Sequence, residues 1–274
     1  MAIRDRKGGD LCVKHYVVSD PHGFYMPMIY ALTEKGFFAD SEPHKLIILG
    51  DLMDRGKQAI KMQEFVCDLM DKDEAILIRG NHEDLYEAFV TEDHGKAYDH
   101  HVKNGTYDTA LQLTGFDPAM SLIRPFDFAE AAQNTPFYQK IMPAMRDYFE
   151  TEHYIFVHGW IPCIKEHPTF IQQNGKTRRV NHYSYTGDWR NADPEWWCDA
   201  RWINGMEAFH TVYENGKTIV CGHWHASYGH STLENKGSEF GATADFTPFY
   251  GSGIIALDAC TSRSRFVNCI AIEE

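Results

Sequence analysis

The stretch Leu46-Ile47-Ile48-Leu49-Gly50-Asp51-Leu52-Met53-Asp54-Arg55-Gly56 sets four aliphatic residues before a loop that carries two carboxylates and a guanidinium. The aliphatic run reads as a buried strand and the polar segment as its C-terminal loop. The same arrangement recurs along the chain. His15-Tyr16-Val17-Val18 runs into Ser19-Asp20-Pro21-His22-Gly23, and Ala75-Ile76-Leu77-Ile78 leads to Gly80-Asn81-His82-Glu83. Tyr154-Ile155-Phe156-Val157 continues into His158-Gly159, and Thr218-Ile219-Val220-Cys221 precedes Gly222-His223-Trp224-His225. Helical patterns separate the first strands: Met26 to Lys35 with Met28, Ile29 and Leu32 on one face, and Gln58 to Leu69 with Ile60, Met62, Phe65, Val66 and Leu69. Such alternation implies an α/β, mixed layered architecture in which the polar loops meet at one crevice beyond the strand ends.

The remainder of the chain is read more coarsely. Residues 84–150 lack the strand rhythm and read as a helical insertion flanking the crevice. Residues 226–252, rich in glycine, read as a long surface loop, and Gly253–Leu257 with Phe266–Ile272 as a closing hairpin. The 274 residues fit a single domain spanning 1–274, with 84–150 inserted within it. No apolar run is long enough to span a membrane and the first residues show no secretion signal, so a cytoplasmic protein with no membrane partner is expected. Seven cysteines without a CxxC pair suggest reduced thiols. A net charge of −13 disfavours a nucleic-acid polymer as partner, although bound cations can reverse the local field for a phosphorylated substrate.

The five polar loops supply a metal-binding chemistry. Asp20 and His22 can aim at one cation, the two oxygens of Asp51 can bridge two, and Asn81 and His158 add ligands for the second. His223 and His225 can complete the sites. Mixed oxygen and nitrogen ligation suits Mn, Fe, Zn or Co, and two such ions would activate a bridging water and hold a phosphoryl group for in-line displacement. His82, beside Asn81, is the candidate general acid, with Asp54 to orient its imidazole and Arg55 to present a planar fork to phosphate oxygens.

On these motifs the chain resembles the calcineurin-like metallophosphoesterase superfamily, and within it the bacterial and phage branch of the phosphoprotein (serine/threonine) phosphatases. Asp51-Leu52-Met53-Asp54-Arg55-Gly56 and Arg79-Gly80-Asn81-His82-Glu83 carry the resemblance most specifically. It implies a β-sandwich of two mixed sheets flanked by helices. It assigns Asp20, His22 and Asp51 to a first metal and Asp51, Asn81, His158 and His223 to a second, with manganese the expected ion. His225 as a further ligand follows the wider superfamily. Arg201 resembles a second phosphate-contacting arginine, while a surface ion pair would account for it equally. Ser19 and Trp160 stand where the narrower pattern has glycine, and Trp160 is expected to alter the groove wall.

Taken singly, each motif has an ordinary explanation: a turn at Asp20-Pro21-His22-Gly23, a helix cap at Asn81, a core histidine at His158. Their joint order is what points to a metal site. Arg79 reads as a structural partner, and His94, His100, His101 and His230 as surface residues. The expected function is hydrolysis of phosphate monoesters, on phosphoserine or phosphothreonine proteins or small phosphoesters. The alternative is a nucleotide hydrolase acting on diadenosine polyphosphates or cyclic phosphodiesters, which the six tryptophans between 160 and 224 favour by offering stacking surfaces.

Overall fold

In the computed structural model, residues 13–173 and 176–273 are described. The strands are β1 (Lys14–Val18), β2 (His44–Leu49), β3 (Ala75–Ile78), β4 (Tyr148–Glu150), β5 (Tyr154–Val157), β6 (Cys163–Lys165) and β7 (Thr169–Gln173). They continue with β8 (Lys176–Val180), β9 (Tyr183–Tyr185), β10 (Thr218–Cys221), β11 (Phe249–Gly251), β12 (Ile254–Ala256) and β13 (Cys269–Glu273). One sheet has the order β13-β1-β2-β3, and a second the order β11-β12-β10-β5-β4. Both are mixed: β1, β2 and β3 are parallel with β13 antiparallel at the edge, while β12, β10 and β5 are parallel between antiparallel β11 and β4.

Period-2 alternation explains how unbroken apolar strands serve two cores at once. In the first sheet Val17, Ile47, Leu49, Ile76 and Ile78 face inward, where they meet Phe156, Val220 and Leu257 of the second. The intervening residues Tyr16, Val18, Leu46, Ile48 and Leu77 face outward against helices. In the second sheet Ile155, Val157, Ile219, Cys221, Ile254 and Ala256 pack outward against Trp160, Trp189 and Trp197. A sheet covered on both faces has no polar side to present, which is why these strands show no polar alternation. The result is the sandwich of two mixed sheets flanked by helices.

The helical layer over the first sheet holds α1 (Tyr25–Lys35), α2 (Ala59–Asp71), α3 (Asn81–Thr91), α4 (Asp99–Asn104) and α5 (Thr106–Thr114). Gly36 ends α1 in a left-handed conformation, its N–H returning to the carbonyls of Leu32 and Thr33. The segment expected as a flanking insertion is part of this layer: Tyr86, Phe89, Ala110, Phe128 and Phe137 share one core with Val18 and Ile48. Its last residues, Tyr148–Glu150, form β4 on the second sheet instead of helix.

Three other expectations change. The closing hairpin does not form: β12 lies in the second sheet and β13 in the first. A short helix, Thr261–Ser264, carries the chain between sheets. The 226–252 loop contains a helix, Ser227–Thr232, and β11, with Ser227 and Phe249 buried. His101 and His230 are buried, not surface residues. No helix among the described residues is long and apolar enough to cross a membrane, and the six described cysteines are free.

Candidate active site

The loops after β1, β2, β3, β5 and β10 converge at one end of the sandwich. Asp20, His22, Asp51, Asp54, Asn81, His82 and His158 are all buried there. The backbone is bent to bring them together: Asp20, His22, Asp51, Asp54, Arg55 and His223 all have φ between 48° and 73°. That region costs a side-chain-bearing residue roughly 1–2 kcal/mol, so the surrounding structure must hold six such residues in place. Close approach also demands glycine at two points. A Cβ on Gly80 would collide with Asp51 Oδ1, and one on Gly222 with Asp20 Oδ2.

Asp51 is the centre. Its Oδ1 lies 3.3 Å from His158 Nε2 and its Oδ2 lies 3.6 Å from His22 Nε2 and 3.9 Å from His82 Nε2. The backbone N–H of His82, in the first turn of α3, donates to Asp51 Oδ1 at 3.0 Å. Both flanking imidazoles are fixed from behind: His158 Nδ1 donates to the Leu49 carbonyl at 2.7 Å, and His22 Nδ1 to the Met53 carbonyl at 3.1 Å. Each therefore turns the lone pair of Nε2 toward Asp51, the arrangement of a metal-ligating histidine. Asn81 Oδ1 sits 2.8 Å from His158 Nε2 and 2.9 Å from His223 Nδ1. The Asp20 carboxylate accepts from the His223 N–H, and its carbonyl from Thr261 Oγ1.

The electrostatics fit a cation. Burial, with repulsion from Asp258 and Asp51, pushes the Asp20 carboxyl well above its usual range. Burial alone would do the same to Asp51, but the His158, His82 and His22 imidazoles pull it below the ordinary carboxylate value. Burial drives His22 well below the usual imidazole range, lowers His158, and brings His223 to about 3. Neutral imidazoles beside crowded buried carboxylates are the ligand forms a divalent transition metal requires. Two triplets, His22 with Asp51 and His82, and Asp20 with Asp51 and His158, each hold their ligand atoms within 4.8 Å of one another. These groupings cut across the expected division, since His158 falls with Asp20 and His82 joins His22.

His82 is held from behind by a carboxylate. Its Nδ1 lies 2.7 Å from Asp54 Oδ2, which also accepts from Thr106 Oγ1 at 2.8 Å, while the Asp54 N–H donates to Thr109 Oγ1. Burial lowers the His82 pKa, but Asp51 and Asp54 outweigh it and the net direction is upward. Arg55 places Nη1 3.0 Å from His22 Nε2 and Nη2 3.0 Å from His82 Nε2.

Two anticipated site residues are engaged by carboxylates. His225 Nε2 is 2.9 Å from Glu239 Oε1, its ring stacks on Trp224, and it belongs to neither ligand triplet. Glu239 comes from the 226–252 segment, so that segment supplies the partner of this imidazole. Arg201 is buried and engaged at every fork, with Nε and Nη2 on Asp84 and Nη1 on Asp147 at 2.6–3.1 Å. Arg79 shares Asp84. Trp160 is core, not groove wall, its indole donating to the Val212 carbonyl.

Sequence reasoning missed Asp258, Thr106, Thr109 and the part played by Glu83. Glu83 accepts from the N–H groups of Gly80, Asp51 and Leu52 at 2.8–3.0 Å and so locks two loops together. Asp258 is buried, with its carboxyl raised to about 7 by burial. It directly follows the apolar run Gly253–Leu257, the same signal that marked Asp20 and Asp51.

The chain belongs to the calcineurin-like phosphoesterase family, whose model matches residues 13–227. It is 39% identical over 82 residues to the asymmetrical bis(5'-nucleosyl)-tetraphosphatase PrpE of Geobacillus thermodenitrificans strain NG80-2, covering 27% of this chain and 33% of that one. Identity to the protein of the same name from Bacillus velezensis strain FZB42 is 27% over 128 residues, covering 44% and 49%. The chain thus spans between a third and a half of the length of these curated relatives. A solved structure of a cold-active protein tyrosine phosphatase aligns with a TM-score of 0.52 at 15% identity, covering 94% of this chain and 73% of that one, which is a likeness of fold.

Proposed function

We propose that the protein is a dinuclear metal-dependent hydrolase of phosphate monoesters. Asp20, His22 and Asp51 would hold one divalent transition-metal ion, and Asp51, Asn81, His158 and His223 the other. The division of Asp51 supports this reading, one oxygen facing His158 and the other His22. When bound, such ions supply Lewis-acid activation of water and neutralise phosphoryl charge.

The observation that favours an ester over an anhydride is the His82–Asp54 pair. An alkoxide leaves only with a proton, and a buried imidazole held on a carboxylate at 2.7 Å can deliver one from Nε2. Arg55 now donates to that nitrogen, so it must move off before His82 can carry the proton. Arrival of a phosphoryl group gives the guanidinium a better bidentate partner, which releases Nε2 for protonation. Arg201, committed to Asp84 and Asp147, acts in this reading as a brace between α3 and the helix Pro194–Ala200.

A second reading, hydrolysis of dinucleoside polyphosphates, has its own support. Trp202 is 51% exposed and stands edge-on to His223, with ring centroids 5.8 Å apart, so a free indole borders the crevice. The names of the Geobacillus and Bacillus relatives point the same way. The test is kcat/KM for manganese-loaded protein on a phosphoserine peptide, glycerol phosphate and diadenosine tetraphosphate. The first reading requires turnover of both esters, and preference for the dinucleotide by a hundredfold or more would replace it with the second.

A further inference from the structure

A separate group of ligands lies beyond α3, outside the crevice. The turn after α3 is tightly hydrogen-bonded, with the Asp93 N–H on the Ala88 carbonyl and the Lys96 N–H on the Asp93 carbonyl, and it brings Asp93 against α4. There His101 Nε2 lies 2.6 Å and His100 Nε2 3.5 Å from the same oxygen, Asp93 Oδ2. Adjacent residues on a helix project about 100° apart, yet these two rings approach to 3.9 Å between centroids. A buried hydrogen bond to Asp93 accounts for His101, whose side chain has no exposed surface. It does not account for His100, whose side chain is 53% exposed and, while its ring stacks on Tyr98, still turns Nε2 toward an oxygen already taken.

We propose that Asp93, His100 and His101 form a third cation site, for a zinc-class ion. The three ligand atoms lie within 4.8 Å of one another. Tetrahedral ligands at about 2.0–2.1 Å from zinc stand roughly 3.3 Å apart. The Asp93–His100 spacing already meets that, and the Asp93–His101 pair must open by about 0.7 Å. The Asp93 side chain is partly exposed, and water can take the fourth position. Two imidazoles with one carboxylate select a borderline ion over magnesium or calcium. Burial lowers the His101 pKa and keeps its ring in the neutral ligand form.

The position gives such an ion a role. It would clip the end of α3 to α4, and α4 leads through Gly105 into α5, whose Thr106 and Thr109 hold Asp54. Gly105 itself packs so closely on Arg55 that a Cβ would strike its backbone nitrogen. The third ion would thus stiffen the mounting of the proton donor without touching substrate.

The experiment counts zinc by elemental analysis after gel filtration of the full-length protein saturated with zinc, for wild type, His100→Ala and His94→Ala. His100 is exposed and outside the crevice, so its loss leaves the fold and the catalytic ligands intact. Wild type should retain one equivalent more than His100→Ala, while His94→Ala, which removes a neighbouring exposed histidine, should match wild type. Because the result is a difference, it does not depend on how many ions the crevice holds. Equal zinc in wild type and His100→Ala overturns the proposal, and so does equal loss in the two variants, which would mark general binding to surface histidines.

Discussion

Asp54→Asn isolates the orientation and charge of the proton donor from its presence. Asp54 Oδ2 accepts from His82 Nδ1 and Thr106 Oγ1 at 2.7 and 2.8 Å, and its other oxygen is buried without a partner. The asparagine can keep the Thr106 contact, since a hydroxyl rotates, but it removes the negative charge beside the imidazole. A hydrogen bond to a charged group is worth about 1.5–3 kcal/mol, and 1.36 kcal/mol equals one pKa unit. The His82 pKa should therefore fall by about 1–2 units. In the native protein Asp51 and Asp54 raise this pKa against burial. A general acid works below its pKa and is lost as pH rises through it, so the basic limb of kcat/KM should move toward acid by that amount.

Turnover of glycerol phosphate should drop about 100-fold at neutral pH, within the range for general-acid catalysis. Nitrophenyl phosphate, whose phenolate departs with little protonation, should lose less than about threefold. Equal losses on the two substrates, or a basic limb that stays in place, would refute the His82–Asp54 assignment. Metal content by elemental analysis should hold, which separates this outcome from disturbance of Asp51 or Asn81.

Chelation should lower the melting temperature: saturation at about 1,000 times Kd contributes about 4 kcal/mol, or roughly 8–15 °C for a chain of this size. An unchanged melting temperature would argue against any tightly held ion. Trp202→Ala should raise KM for diadenosine tetraphosphate about 5- to 150-fold, from about 1–3 kcal/mol of stacking, and leave glycerol phosphate alone; the same shift on both would place the indole in a purely structural role. His225→Ala should leave occupancy of both crevice ions unchanged, since Glu239 holds its Nε2; loss of an equivalent would restore it as a ligand.

What was legible in the sequence depended on range. The strands and the loops that follow them are local signals, so the convergence of Asp20, Asp51, Asn81 and His158 on one crevice was readable, while the division into two sheets came only from the family resemblance. The side chain of Asp54 was readable as a partner for His82 because both lie in recognisable strings. Thr106 and Thr109 were not, because they reach Asp54 from α5 across 52 and 55 positions, and no local pattern distinguishes them from other helical threonines. Glu239 was hidden for the same reason, and with it the fate of His225. The expected hairpin failed because two adjacent apolar strands say nothing about which sheet each joins. Arg201 was ambiguous in principle: an arginine bound to carboxylates and one awaiting phosphate have the same sequence signature.

His225 and Asp258 together show why position past a strand is a better guide than residue type. His225 is two residues beyond His223, just before the helix Ser227–Thr232, and its ring meets a carboxylate from the segment that follows that helix. Asp258 sits two residues past β12, the same offset as Asp20 past β1 and Asp51 past β2, and its carboxylate is buried. There it faces Asp20 and raises that carboxyl further, adding negative charge where His22, His158 and His223 are held neutral. Burying so many carboxylates without compensation is unfavourable by several kcal/mol per charge. Among the described residues the cations on hand in the crevice are the Arg55 guanidinium and a protonated His82, the two groups proposed above to meet substrate. Divalent ions on Asp20 and Asp51 would resolve the imbalance, and they would leave Arg55 and His82 free to meet a phosphoryl group that the chain's net charge of −13 would otherwise repel.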